Sequence, residues 1–188
     1  MMKRNIIAVL LVASFPLYAH AAAYTIDPQH TYTNFTINHL GFSTIHGSFD
    51  KSVGKIQFDR AAKTGAIDIT FSPASVHTGL PKRDEHLRSP DFFNVAEYPD
   101  VTFKSSAIKF NGDTPASMEG KLTILGVTRP VTLTITSFKC GTHPLNKKEL
   151  CGADATTQIK RSDFGMKFGI PDVGDEVRLM LEVEAYKD

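Results

Sequence analysis

The chain has no tryptophan and only two cysteines among its 188 residues. It also lacks an excess of charge of either sign, with 21 lysines and arginines against 20 aspartates and glutamates. That balance excludes the electrostatic footprint by which proteins hold nucleic acid or anionic membrane surfaces. Catalytic signatures are missing as well. There is no Gly-x-Ser-x-Gly elbow, no His-Glu-x-x-His, no glycine-rich phosphate loop and no free cysteine nucleophile. Past the N-terminal stretch no segment carries the three-to-four-residue period of a core helix; the apolar residues recur every second position. The reading is of a non-enzymatic, all-β protein.

The N-terminus reads as a secretory signal. Lys3 and Arg4 supply the positive start, Ile6 to Val12 begin an apolar run, and small residues follow. Cleavage after Ala21 to Ala23 is expected, giving a signal over residues 1–22 and a domain over 23–188. Losing Lys3 and Arg4 takes the 21 basic residues to 19 against 20 acidic, a net charge of −1. No integral membrane span is expected after cleavage, and the expected compartment is the periplasm. There Cys140 and Cys151 most simply pair, closing a short loop worth about 3 kcal/mol in the chain-entropy account. A zinc site from Cys140, His143 and Cys151 lacks a fourth ligand.

The remaining sequence is a succession of alternating strands. Thr33, Phe35, Ile37 and His39 share one face; Ile56 and Phe58, Ile67, Ile69 and Phe71 continue the pattern. A strand from Val101 to Phe110, containing Phe103, meets a tight turn at Asn111-Gly112. Met118, Gly120, Leu122 and Ile124 alternate next, then Val131, Leu133 and Ile135. Val177 to Ala185 ends the chain as a long strand. About nine or ten strands with exposed edges suit either a closed antiparallel barrel or a two-sheet sandwich, and periodicity alone leaves both open.

The exception is Arg83 to Phe103, RDEHLRSPDFFNVAEYPDVTF. One short helical segment is expected near residues 82–93, with Pro90 ending the helical turn. Phe92 and Phe93 follow as an apolar plug, so the segment reads as a lid or rim. Asp84, Glu85, His86, Asp91 and upstream His77 match no metal-site spacing and read as a capped, salt-bridged turn. His39 has two readings, a hydrogen-bonded core histidine or a polar group placed inside a pocket. Twelve of the 13 phenylalanines lie beyond the signal. They either fill a barrel or line a bore, and counting cannot choose.

Five ordered motifs, INHLGFSTIHGSF, RDEHLRSPDFF, EYPDVTF, GKLTILGVTRPVTL and RSDFGM, resemble the bacterial YceI-like proteins over Tyr24 to Tyr186. The resemblance implies an exported, lipocalin-like antiparallel β-barrel of about eight strands, with a polyisoprenoid or related long-chain lipid in its bore. It implies ligand contacts from Phe35, Ile37, His39, Phe42, Phe49, Arg83, Phe92, Phe93, Phe103, Met118, Leu122, Ile124, Leu133 and Ile135, with Phe42 and Phe49 near the mouth. The cysteine segment departs from the family pattern. The function implied is carriage or storage of an isoprenoid, quinone-like lipid, with no cofactor and no metal. Two alternatives stand beside it. One is a stress-related packed barrel acting through protein partners. The other is an enzyme on such a lipid, using His39 or His86 with Asp84. A homodimer stays open.

Overall fold

The computed structural model describes residues 21–188; of the signal expected over residues 1–22, residues 1–20 lie outside the described residues. The strands are β1 (Ala22–Ile26), β2 (Tyr32–His39), β3 (Ser43–Phe49), β4 (Ser52–Asp59), β5 (Thr64–Phe71) and β6 (Val76–His77). After helix α1 (Pro81–Arg88) come β7 (Val101–Asn111), β8 (Thr114–Ile124), β9 (Val127–Thr142), β10 (Glu149–Lys160) and β11 (Val173–Lys187). Eight of them, β1, β4, β5, β7, β8, β9, β10 and β11, close into an antiparallel barrel. Closure comes from β1, which pairs with β4 on one edge and with the end of β11 on the other. No ring strand then keeps a bare edge along its whole length, which removes the liability of an open sheet.

The free edge of β11 is shared. Residues 185–187 pair with β1, while Val173 to Glu182 pair with β2, which carries β3 and β6 outward. At that end the wall is completed by α1 and the turns after it. Proline at the first helical position suits α1, because the missing amide there would have no partner. The helix stops at Arg88, with Ser89 extended ahead of Pro90, so the expected helical segment is shorter than residues 82–93 and its second half is turns. Arg88 pins the helix by donating to the Ala74 and Val76 carbonyls at 2.8 and 3.0 Å.

Two glycines let aromatic rings lie flat on the wall. A Cβ at Gly47 would sit 2.3 Å from the Phe35 ring directly across the ladder. A Cβ at Gly120 would sit 2.4 Å from the Phe103 ring. Both rings therefore fold over neighbouring strands, from where they line the bore.

The cysteine segment is a hairpin. Strands β9 and β10 run well past their alternating cores, and Cys140 pairs directly with Cys151 in register, with Cα atoms 4.0 Å apart and a disulfide between them. The zinc alternative is thereby closed, since both thiols are in the bond. The link joins sequence positions 11 apart at the far end of the barrel from α1. A Cys140→Ser, Cys151→Ser double variant is expected to lose about 3 kcal/mol. In a chain of this size that lowers Tm by roughly 6–12 °C in a calorimetric scan. Its ligand affinity is expected to stay within about twofold of the parent, because the bond is remote from the larger cavity described next.

Candidate functional site

The barrel is hollow. Its larger cavity, about 480 Å³, lies under α1; a smaller one, about 110 Å³, lies toward the disulfide. They follow one another along the axis. On β11, Val177 and Leu179 line the larger and Leu181, Val183 and Ala185 the smaller; on β8, Leu122 and Ile124 line the larger and Met118 the smaller. Ordinary interiors hold few voids larger than a water molecule, whose share of liquid volume is about 30 Å³, so the larger space is not a packing defect.

The strand alternation places most of the expected residues here. Phe35, Ile37, His39, Phe49, Arg83, Phe92, Phe93, Leu122 and Ile124 line the larger cavity, and Phe103, Met118, Leu133 and Ile135 the smaller. Phe42 is the exception and corrects the expectation: it lines neither cavity and is 91% exposed. It sits in the turn between β2 and β3, where Leu40 and Gly41 take left-handed backbone conformations, and that turn carries its ring out of the strand alternation. His39 is half-buried in the cavity wall with no side-chain hydrogen bond among the described residues, so it is the pocket reading of this residue that the geometry supports.

The lid is a set of tied-down polar groups under an aromatic edge. Asp84 is buried beneath α1, where it accepts the Thr78 amide at 2.9 Å and the Thr78 hydroxyl, with His77 at 3.5 Å. It does not face either cavity. The acid-base pairing of Asp84 with His39 or His86 is therefore not assembled on the bore. Arg83 does reach the cavity and donates to the Thr78 hydroxyl and carbonyl, each at 2.7 Å. His86 is bonded to Asp91 at 2.9 Å and stands edge-on to both Phe92 and Phe168, ring centroids 5.0 and 5.1 Å away. Leu80, His86 and Phe168 are exposed and line the cavity at once, which marks them as the edge of its mouth.

One central residue enters the sequence reading only as the first residue of the RSDFGM motif. Arg161, 4% exposed, lines the larger cavity. It donates to the carbonyls of Gly174 (2.8 Å), Met166 (3.3 Å), Phe168 (2.9 Å) and Val173 (2.9 Å). It thereby gathers the loop from Gly165 to Asp172 against the barrel end. Burial pushes its guanidinium below the ordinary value, and the Asp175 charge opposes this. Burial acts to raise Asp175 itself. Its carboxyl is nevertheless held below the usual range, because the Ser162 hydroxyl and amide donate to it, with Arg161 and Lys160 adding their charge. Val177, Leu179, Ile45 and Met166 also line the site without having been assigned to it. The alternation of Val177 and Leu179 on the last strand was signal enough for those two.

At the far end Tyr24 closes the smaller cavity and donates to Glu149 at 2.8 Å. Burial, then Glu149, pushes the Tyr24 phenol up to about 12. Glu149 is held below the carboxylate range, first by Lys187 and then by Tyr24. The bore is therefore apolar along its length and polar at its two ends.

Comparison with known proteins agrees with this architecture. A sequence model of the YceI-like domain matches residues 24–185. Protein YceI of Escherichia coli O157:H7 is 40% identical over 169 residues, covering 88% of this chain and 87% of its own. The crystal structure of BcnA from Burkholderia cenocepacia superposes with a TM-score of 0.70 at 26% identity, covering 85% of this chain and 98% of BcnA. A polyisoprenoid binding domain from Saccharophagus degradans, implicated in plant cell wall breakdown, shares the fold with a TM-score of 0.67 at 16% identity, over 90% of this chain and all of that one. No helix among the described residues is long and apolar enough to cross a membrane. With a family match across nearly the whole domain, the chain belongs to the YceI-like family.

Proposed function

We propose that this protein holds a polyisoprenoid or related long-chain isoprenoid lipid, quinone-like lipids among them, and carries or stores it in the periplasm without turning it over. The observation that carries the reading is the apolar cavity of about 480 Å³ with a mouth edged by Leu80, His86 and Phe168. Each methylene moved from water into such a space contributes about 0.8 kcal/mol, so a prenyl chain binds with few polar contacts. The polyisoprenoid-binding role of the Saccharophagus degradans domain, on the same fold, supports the same ligand class. The periplasmic setting rests on the N-terminal signal and on the disulfide, which an oxidising compartment maintains.

The test is calorimetric titration of delipidated protein with farnesol and geranylgeraniol at several temperatures. Saturable one-to-one binding with a negative heat-capacity change is expected, the mark of apolar burial. Absence of uptake for these prenyl alcohols, and for straight-chain lipids as well, contradicts the proposal.

A further inference from the structure

A second polar cluster stands outside the barrel, where the turn between β1 and β2 meets β11. Asp27 and His30 belong to that turn, and Glu184 comes from the last strand. Ligating atoms of the three side chains lie within 4.8 Å of one another. None of the three lines either cavity. The backbone brings them together. The Asp27 amide donates to the Glu184 carbonyl at 2.8 Å; Thr31 Oγ1 donates to the same carbonyl at 3.3 Å and accepts the Glu184 amide at 3.2 Å. The Gln29 amide donates to Asp27 Oδ1 at 2.9 Å, which leaves Oδ2 to meet His30 Nδ1 at 2.8 Å. An ordinary aspartate–histidine turn accounts for those two residues. It does not account for Glu184, whose half-buried carboxylate makes no hydrogen bond or ion pair among the described residues. Two carboxylates around one imidazole leave at least one negative charge unanswered, whichever form the ring takes.

We propose that Asp27, His30 and Glu184 bind a divalent transition-metal ion, zinc before others, as a staple between the β1–β2 turn and β11. One imidazole nitrogen and two carboxylate oxygens form a donor set that zinc takes at about 2.0–2.2 Å. Ligand atoms around such a tetrahedral ion stand about 3.3–3.6 Å apart, so small side-chain rotations close the cluster on it. The ion replaces the proton between His30 Nδ1 and Asp27 Oδ2, which leaves for Nε2 or for solvent. The Gln29 amide on Asp27 Oδ1 then serves as the outer hydrogen bond that orients a ligating carboxylate. Water completes the coordination, because His30 is exposed and lines, with Glu184, an outer groove of about 340 Å³. Calcium, which takes six to eight oxygens, suits three side chains poorly, and manganese ranks below zinc on such donors.

The experiment titrates untagged, chelator-stripped protein with zinc, manganese and calcium chlorides in a calorimeter. His30→Gln, Glu184→Gln and His46→Gln stand beside the parent, His46 being an exposed histidine on β3 and so a control for casual surface binding. Both thiols are in the disulfide and do not compete for the metal. One zinc ion per chain is expected, bound about tenfold more tightly than manganese and about a hundredfold more tightly than calcium. His30→Gln and Glu184→Gln are each expected to weaken zinc about tenfold or more, and His46→Gln to leave it within about twofold. Zinc is also expected to raise the Tm of the parent and of neither cluster variant, since only a folded site links metal to stability. Glu184→Gln keeps every backbone bond of the turn, so it carries the test should His30→Gln fold poorly. Zinc affinity unchanged in either folded cluster variant means an adventitious ion only and overturns the proposal. No uptake at millimolar zinc, or calcium bound as tightly as zinc, overturns it too.

Discussion

Replacing Arg161 with methionine is expected to cost about 3–5 kcal/mol of stability, the largest effect of any single substitution in the site. The side chain is nearly as long and as apolar as the arginine stem, so packing is roughly kept while the donors vanish. Four carbonyls, of Gly174, Met166, Phe168 and Val173, lose their partner together. Asp175 loses a compensating charge as well. In a chain of this size the loss lowers Tm by roughly 6–20 °C. Arg161→Lys is expected to do little better, because three donors on a point charge cannot reproduce the planar fork. Urea denaturation gives the stability, and hydrogen exchange shows where it is lost. Early exchange confined to Gly165 to Gly174 is expected first, since that loop is held to the barrel through this guanidinium. Loss of less than about 1 kcal/mol would mean that water replaces the arginine and that the loop is held by other contacts.

The second large effect separates a hollow bore from a filled one. Val177 lines the larger cavity opposite Ile37, its register partner on β2. In a packed core, Val177→Trp overfills the site and costs about 1–3 kcal/mol. In a bore of about 480 Å³ the indole enters empty space. Stability is then expected to hold or rise by about 0.5–2 kcal/mol, the usual gain from filling a cavity. Ligand affinity is expected to fall at least tenfold, about 1.4 kcal/mol, because the ring takes the volume of the prenyl tail. As the parent has no tryptophan, the emission of this single indole reports its surroundings directly. A blue-shifted maximum with retained stability and lost binding is the predicted combination. Destabilisation with unchanged binding contradicts it.

Much of the wall was legible because side-chain direction in a strand depends only on parity. Phe35, Ile37 and His39, or Leu122 and Ile124, share a face whatever the sheet does next, and the bore inherits those faces. The cysteine pair was legible from export and number. What parity does not contain is the radius of the ring. Whether phenylalanines fill a barrel or line it depends on strand count and stagger, which involve all eight strands at once, so hollowness came from the family resemblance and then from the structure. The two short strands that share β11 are likewise a property of pairing and not of either strand alone. Phe42 was misplaced because a turn resets the alternation: once Leu40 and Gly41 turn left-handed, the next ring no longer follows the face of His39. Arg161 was underrated because an arginine after a strand reads as surface. Only the folded chain brings four carbonyls from a later segment around it.

The most direct test of a lipid-filled barrel is native mass spectrometry of the protein isolated from a bacterial periplasm, followed by organic extraction. The expected result is a one-to-one adduct that survives gentle ionisation and extracts as a long-chain isoprenoid. A clean unliganded mass, together with failure to take up added prenyl and acyl lipids, would contradict the account and move the search for function to the outer surface.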